Sequence, residues 1–290
     1  MQKERGIMEG TNLNHKAVLF LHSHNIVDLY SWIDDTIEKT VSKKTGRPLL
    51  VTDTEIVTIL IWNTIVLKQQ TLKDIFNAIS MYHKGDFKTL PKYSSFIDRC
   101  HKAIPKFVEL MSILLQQSDI GIVDSTMIPV CKLHRVDSHK VAKDKAQFGK
   151  NWQGWHYGFK LHTTINLAGV LSSIHFTGAN VYDAQALPHI INGQKILVGD
   201  TLYGASVMRK RIWKEYGTII ISPPFPKQNK KISTPWQNQL LNMRSKIESV
   251  FDYLKNHLHL VSSFPRSMGG YLIHYMRVLV SYQIMALSQG

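Results

Sequence analysis

The strongest constraint on the fold is a change of pattern after residue 117, where short apolar runs begin to alternate with helical segments. Tyr157–Asn166 alternates apolar and polar side chains, which predicts a half-buried strand, and Val170–Ala179 returns after a turn as its hairpin partner. Lys195–Gly199 and Thr218–Ile221 are mostly apolar, which is typical of buried parallel strands. Helices are predicted over Asp183–Ile191, Ala205–Tyr216, Leu240–Leu260 and Gly270–Leu287. This order predicts an α/β fold with a mixed sheet.

The first 115 residues are predicted to form a separate, all-helical region. Thr52 and Glu55 form a capping-box pattern that opens a helix over Asp53–Lys68. Further helices are predicted over Leu72–Ile79 and over Phe96–Leu115, with an interruption near Pro105. Short helices with tight connections are typical of a helix-turn-helix module that reads DNA, and an ordinary helical packing region is the alternative. The predicted domains are therefore 1–115 and 116–290.

Charge and composition narrow the class of protein. The 290 residues carry a net charge of +14, and most of the surplus lies in two segments, residues 127–160 and 205–260. Such clustering predicts affinity for polyanions. Two cysteines cannot build a disulfide framework, the N-terminus has no secretory pattern, and no apolar stretch approaches the roughly 18 residues of a membrane span. The sequence therefore predicts a cytoplasmic protein that does not enter a membrane.

Three acidic residues stand where chemistry is expected. Asp124 ends the first predicted strand, Asp200 ends a later buried strand, and Glu248 lies in a long helix. Groups at the carboxyl ends of central strands meet in one crevice, and a helix beside them can add a third acid. Three carboxylates repel one another unless cations neutralise them, and their oxygens suit Mg²⁺, or Mn²⁺ as its substitute. Two such ions clamp the oxygens of an in-line attack on a phosphodiester.

The helix around Glu248 carries two cations at regular spacing. Arg244 lies four residues before Glu248 and Lys255 seven residues after it, which places all three on one helix face. One interpretation is a metal-binding glutamate flanked by phosphate-gripping cations. The alternative is an exposed helix ion pair worth roughly 0.3–0.5 kcal/mol.

Together these residues resemble the DDE transposases of bacterial insertion sequences. The matching motifs are Asp124-Ser125-Thr126, then Gly199-Asp200 with Tyr203-Gly204, and then Arg244, Glu248 and Lys255, over about residues 119–285. The family often has a Tyr three residues before the Arg, and here that position is Leu241. The resemblance implies an RNase H-like domain with a mixed five-stranded sheet and flanking helices. It also implies that Asp124, Asp200 and Glu248 hold the metals and catalyse the reaction.

The function that follows from the resemblance is cleavage of the ends of an insertion sequence and joining of the 3′-OH to target DNA. The partners would be double-stranded DNA at the ends and target and a second copy of the chain, in a bacterial nucleoid. The residues expected to contact DNA are all basic: Arg244, Lys255, Lys132, Arg135, Lys140, Lys160, Arg209, Lys230 and Lys231. The alternatives are an RNase H-like nuclease or resolvase without strand transfer and a domesticated DNA-binding protein that does not cut.

Other candidates carry weaker signals. Cys131, His134 and His139 have a loosely metal-like spacing, but one cysteine in a basic loop is a poor zinc signal. Trp152, Trp155 and Trp236 lie in the basic segments, where core anchoring is the favoured interpretation and stacking on unpaired bases the alternative.

Overall fold

The computed structural model describes residues 19–37, 50–87, 89–224 and 234–288. The chain divides into two compact units. A helical unit takes residues 1–114 together with 272–290, and a sheet unit takes residues 115–271. The division therefore assigns most of the last helix to the helical unit, whereas the sequence analysis placed all of 116–290 in one domain. No helix among the described residues is long and apolar enough to cross a membrane.

The helical unit is built from short helices whose ends follow local capping rules. Residues 19–23 are helical, and the helices that follow them are α1 (Ile26–Thr36), α2 (Asp53–Trp62), α3 (Leu72–Tyr82), α4 (Tyr93–Lys102) and α5 (Ile104–Leu114). The predicted capping box is present at α2, where the Glu55 amide donates to Thr52 Oγ1 and the Thr52 amide donates to the Glu55 carboxylate. A π-helical turn, Asn63–Leu67, extends α2, and Lys68 ends it in the left-handed region.

The sheet unit contains a mixed six-stranded sheet with flanking helices, which is compatible with the RNase H-like fold. The strands are β1 (Ile120–Pro129), β2 (Gln147–Asn151), β3 (Gly154–Ile165), β4 (Leu171–Gly178), β5 (Ile196–Val198) and β6 (Ile219–Ile221). The order is β2-β3-β1-β5-β6, and β4 also pairs with β3. β1, β5 and β6 are parallel neighbours, whereas β3 is antiparallel to β1, β2 and β4. A buried apolar cluster that includes Val123, Leu197, Ile212 and Ile220 packs against the parallel strands.

Two strand predictions need correction. The sheet has six strands rather than five, because Gln147–Asn151 pairs with β3 even though its polar, glycine-containing sequence reads as a loop. β1 does not end at Asp124 but continues to Pro129, because β3 pairs with it from Ile122 to Pro129. Asp124 therefore lies within a strand and not at its end.

Between the strands lie α6 (Asp183–Ala186) and α7 (Ser206–Tyr216). After β6 the predicted long helix is divided. α8 (Pro235–Asn242) ends at Met243, Arg244 is the N-cap of α9 (Ser245–Asp252), and a π-helical turn, Tyr253–His257, follows. α10 (Met268–Ser288) completes the described chain. Because of the break and the π turn, Arg244, Glu248 and Lys255 do not share one regular helix face as predicted.

Candidate active site

Two of the predicted acids lie at the same level on neighbouring strands. β1 and β5 run parallel, with Ile122 paired to Val198. Asp124 follows Ile122 by two residues, and Asp200 follows Val198 by two residues. Because neighbouring strands lie roughly 4.8 Å apart, this register brings the two carboxylates to adjacent positions. The parallel pairing of β1 and β5 thus brings Asp124 and Asp200 close together, as the sequence analysis expected for residues at two strand ends.

The carboxylate of Asp124 is held in an environment that opposes its charge. Its pKa is raised to about 7, mainly by burial and also by the negative charges of Asp200 and Asp183. The Ser125 amide, which donates to Asp124 Oδ1 at 2.8 Å, and the positive charge of Arg244 act in the opposite direction. The pKa of Asp200 is also raised, first by burial and then by Asp183. The site therefore has an excess of buried negative charge.

Asp183 is a third aspartate in this region, and the sequence analysis did not predict it as a site residue. It stands in the first turn of α6, and its Oδ1 accepts from Ser125 Oγ at 2.7 Å and from Lys160 Nζ at 3.1 Å. His162 Nδ1 lies 3.6 Å from the same oxygen. The sequence analysis placed Asp183 only at the start of the predicted helix Asp183–Ile191.

The partners of Asp183 come from paired strands. Ser125 pairs with His162 across β1 and β3, and Lys160 is two residues from His162 on β3. Alternate residues on a strand share a face, so these three side chains converge on one carboxylate. Lys160 is only 8 % exposed and also donates to the Val181 carbonyl at 2.8 Å. The structure thus engages Lys160 inside the protein, whereas the sequence analysis assigned it to DNA.

Tyr203 is buried close to the three aspartates of the site. Its side chain is fully buried, and its hydroxyl has no hydrogen-bond partner among the described residues. Burial and the charges of Asp183, Asp124 and Asp200 raise its pKa well above the usual value. Gly199 makes room for the ring, because a Cβ there would lie 2.7 Å from Tyr203 Cδ2. This contact gives a physical reason for the Gly-Asp-x-x-Tyr spacing.

Glu248 is connected to the aspartates through Arg244. Arg244 donates to Glu248 Oε1 at 2.9 Å, and its positive charge acts on the pKa values of both Asp124 and Asp200. α9 packs against β1, the strand that carries Asp124. The Glu248 side chain is 56 % exposed. Arg244 therefore interacts with all three predicted acids, with Glu248 by a hydrogen bond and with Asp124 and Asp200 through its charge.

A family model described as the transposase DDE domain matches residues 115–268, which is more than half of the chain. The chain belongs to the transposase DDE domain family. Searches among curated proteins and among solved structures found no match. The matched range contains all three predicted acids and coincides with most of the sheet unit. Membership gives the chain a transposase-family function with DNA as its partner, and such transposases generally use divalent metal ions.

The donor chemistry of this transposase site fits a hard divalent cation. Asp124 and Asp200 supply carboxylate oxygens, and the raised pKa of Asp124 reflects negative charge that a cation would neutralise. Within the described ranges, however, no three His, Cys, Asp or Glu side chains come together closely enough to hold a metal ion. Neither the predicted set Asp124, Asp200 and Glu248 nor the set Cys131, His134 and His139 forms such a group within these ranges.

The predicted DNA contacts of the transposase fall into three groups. Lys132, Arg135 and Lys140 are exposed in the loop that follows β1. Arg135 and Lys140 line an open pocket of about 480 Å³ together with His139, Phe264 and Arg266. Arg209 donates to Ser222 Oγ at 2.6 Å. Lys230 and Lys231 lie outside the described residues.

Lys255 occupies a partly buried position in the π turn after α9. Burial lowers its pKa, and its charge in turn lowers the pKa of His156, after the larger effect of burial of that ring. Lys255 therefore lies close to the start of β3. Its predicted role as a DNA contact stays a prediction.

The predicted core positions of three tryptophans are wrong. Trp152 is 90 % exposed, Trp155 is 55 % exposed and Trp236 is 49 % exposed. They occupy a hairpin turn, the first residues of β3 and the first turn of α8, where the polar neighbours in the sequence keep the backbone at the surface.

Proposed function

We propose that this protein is a DNA transposase that cleaves the ends of its insertion sequence and joins the freed 3′-OH to target DNA by metal-dependent phosphoryl transfer. The observation that carries the proposal is the placement of Asp124 and Asp200 at matched positions, each two residues beyond the last paired residues of adjacent parallel strands. Arg244 donates to Glu248, and its positive charge acts on both aspartates. A structural ion pair alone would not require two partly buried carboxylates with raised pKa values.

Asp124, Asp200 and Glu248 are the residues that would hold the divalent ions, Mg²⁺ or its substitute Mn²⁺. When bound, two such ions supply a nucleophilic oxygen at neutral pH and stabilise the leaving oxygen. The protein's own contribution is positional. Lys160 and Ser125 fix Asp183 beside the acids, and the Arg244 guanidinium orients the Glu248 carboxylate while it partly balances the aspartate charges.

DNA binding in this proposal comes from cations outside the acidic site. The exposed residues Lys132, Arg135 and Lys140 contact phosphates, as do Arg209, Lys230 and Lys231, and Lys255 grips the backbone near the cut. Lys160 is buried against Asp183 and takes the positional role instead. The helical unit reads the element's ends, and two copies assemble on them in the bacterial nucleoid.

The test is a cleavage and joining assay on the element's own ends with a supercoiled target, with and without Mg²⁺. Asp124→Asn, Asp200→Asn and Glu248→Gln should each reduce cleavage by about 100-fold or more, because each removes a charge that the ions require. DNA affinity should persist, since it rests on cations elsewhere. Asp137→Asn, at an exposed acid of the basic loop, is the matched control and should cut normally.

Three outcomes would contradict the proposal. An acid variant that cuts at the wild-type rate in Mg²⁺ would remove that residue from the site. Hydrolysis without any joined product would identify a nuclease or resolvase. Binding without cleavage by the wild-type protein would identify a DNA-binding protein that no longer cuts.

A further inference from the structure

The hairpin formed by β2, its turn and the first residues of β3 displays large aromatic side chains to solvent. This tryptophan hairpin comprises residues 147–158. Trp152 stands at the turn and is 90 % exposed, while Phe148 and Trp155 are about half exposed on the strands. Burying an indole is favourable by roughly 25 cal/mol per Å² of apolar surface, so this exposure is costly unless a partner covers the ring.

The hairpin is well ordered. Asn151 Oδ1 accepts from the Gln153 amide at 2.9 Å and lies 2.9 Å from His156 Nε2, which fastens the two-residue turn. Gly154 has φ +112°, a conformation that side chains disfavour. At the base of the hairpin, a Cβ on Gly149 would collide with the Ala179 carbonyl, so β2 packs closely there. A ring held on such a frame loses little conformational entropy when it stacks.

The surroundings of the rings are basic. Lys150 Nζ lies 5.7 Å from the centroid of the Trp155 ring, and Lys143 and Lys145 are exposed just before β2. Cations next to exposed aromatic rings are the combination that binds single-stranded nucleic acid, because the rings stack on bases while the ammonium groups contact phosphates. An apolar protein partner fits this surface less well, because its binding would remove water from the lysine ammonium groups and offer them no phosphates.

The hairpin also lies close to the π-helical turn that follows α9. The charge of Lys255 lowers the pKa of His156, and His156 Nε2 contacts Asn151 at the hairpin turn. Lys255 follows α9, the helix that carries Glu248. DNA held at Lys255 would therefore have its bases within reach of the tryptophan hairpin.

We propose that the tryptophan hairpin is a binding site for an unpaired base of the DNA end, which stacks on Trp152 while Lys150 and its neighbouring lysines contact the flanking phosphates. The inference rests on the proposed function, because it takes the DNA near the cut as the ligand. It assigns to these residues the recognition of unpaired DNA, in addition to the metal-dependent chemistry.

The experiment compares two DNA ligands of the same sequence, one fully paired and one with a short unpaired stretch at the end, with 2-aminopurine in that stretch. Full-length wild-type protein should bind the unpaired ligand more tightly and quench the 2-aminopurine fluorescence. Trp152→Ala should weaken binding of the unpaired ligand by about 5-fold or more and abolish the quenching, because base–aromatic stacking is worth about 1–3 kcal/mol. Its affinity for the paired ligand should stay unchanged, and Trp152→Phe should restore most of the preference.

The matched control is Trp213→Ala, which removes a 57 % exposed indole from α7 and should leave both affinities unchanged. If Trp152→Ala loses affinity for both ligands equally, or for neither, the inference is overturned. Wild-type cleavage would in that case still support the proposed function. A change in the DNA-free sedimentation of Trp152→Ala would overturn it in favour of contact between two copies. A wild-type protein that binds neither ligand would contradict the proposed function itself.

Discussion

Both units contain charged side chains that are removed from solvent, but the partners of these side chains differ. In the helical unit, Arg277 is 1 % exposed and its guanidinium donates to Thr64 Oγ1 at 2.6 Å and to the carbonyls of Gln69 and Gln70 at 3.1 and 2.8 Å. Burial lowers its pKa only to about 10, so the cation persists at neutral pH. Its charge is distributed over neutral acceptors that lie within the same unit.

In the sheet unit, the buried charge is left incompletely balanced. Asp124, Asp200 and Asp183 raise one another's energy, and only Asp183 has a direct cationic partner, Lys160, among the described residues. The comparison separates two uses of buried charge. A buried cation that donates to several neutral acceptors stabilises a packing arrangement, whereas carboxylates that accept few hydrogen bonds and repel one another form a site with affinity for a cation.

The comparison predicts its largest effect for Arg277→Met. Three acceptors would lose their donor in a buried position, and each unsatisfied group costs roughly 1–3 kcal/mol, so the free energy of unfolding should fall by about 3 kcal/mol or more. Urea denaturation measures this directly. Arg211→Met, which breaks the exposed ion pair with Glu215, is the matched control and should cost at most about 0.5 kcal/mol. Equal costs for the two variants would mean that the Arg277 network is not structural.

A smaller effect is predicted for the ion pair between Lys160 and Asp183 in the acidic site. Lys160→Met should destabilise the protein by about 1–3 kcal/mol, because the Asp183 carboxylate loses its cationic partner and keeps, within the described ranges, the Ser125 hydroxyl as its direct donor. Adding Asp183→Asn should recover most of that loss, since the stranded charge is then gone. Urea unfolding of the two single variants and the double variant gives the coupling energy. The control is Lys195→Met, which breaks the exposed pair with Asp119 and should change the free energy of unfolding little. If the effects of Lys160→Met and Asp183→Asn on the free energy of unfolding are additive, the pairing is refuted.

Local signals in the sequence predicted much of this fold. The capping box at Thr52, the alternation over β3 and the apolar runs of β5 and β6 depend on neighbouring residues, and the structure confirms the elements that they predicted. The adjacency of Asp124 and Asp200 also followed, because parallel strands set a common level for residues at matched positions.

The features that the sequence analysis missed depend on distant contacts. Asp183 becomes a site residue only because β1 and β3 pair so that Ser125 and Lys160 reach it, across separations of 58 and 23 residues. β2 has no apolar pattern of its own and exists as a partner of β3. The break before Arg244 is not marked by glycine or proline, so no local rule placed it.

The smallest predicted effect concerns the pH dependence of stability in the absence of metal. His162 is fully buried, and its pKa is lowered to about 4, first by burial and also by Lys160 and His175, while Asp183 acts against the shift. The unfolded state binds the proton at a pKa of about 6.5, so this group destabilises the fold as pH falls below 6.5.

Asp124 has the opposite sign in the same pH window. Its folded pKa of about 7 lies above the unfolded value of 3.8, so the folded state binds the proton first and gains stability as pH falls through 7. Asp200, whose pKa is also raised, acts in the same direction as Asp124, and His175, whose pKa is lowered, acts in the same direction as His162. The opposing groups should leave the wild-type urea midpoint nearly flat between pH 7.5 and 5.0 in EDTA.

Substitution separates the two contributions. Asp124→Asn should be more stable than wild type at pH 7.5, because a poorly compensated buried charge is gone, and it should lose stability more steeply on acidification, because only the histidine contribution remains large. Each uncompensated proton contributes a slope of at most about 1.4 kcal/mol per pH unit. Adding His162→Gln to Asp124→Asn should flatten the profile again. If the double variant still loses stability as steeply as Asp124→Asn, His162 is not the titrating group, and the contrast between Arg277 with its neutral acceptors and the unbalanced charge of the sheet unit would rest on the acids alone.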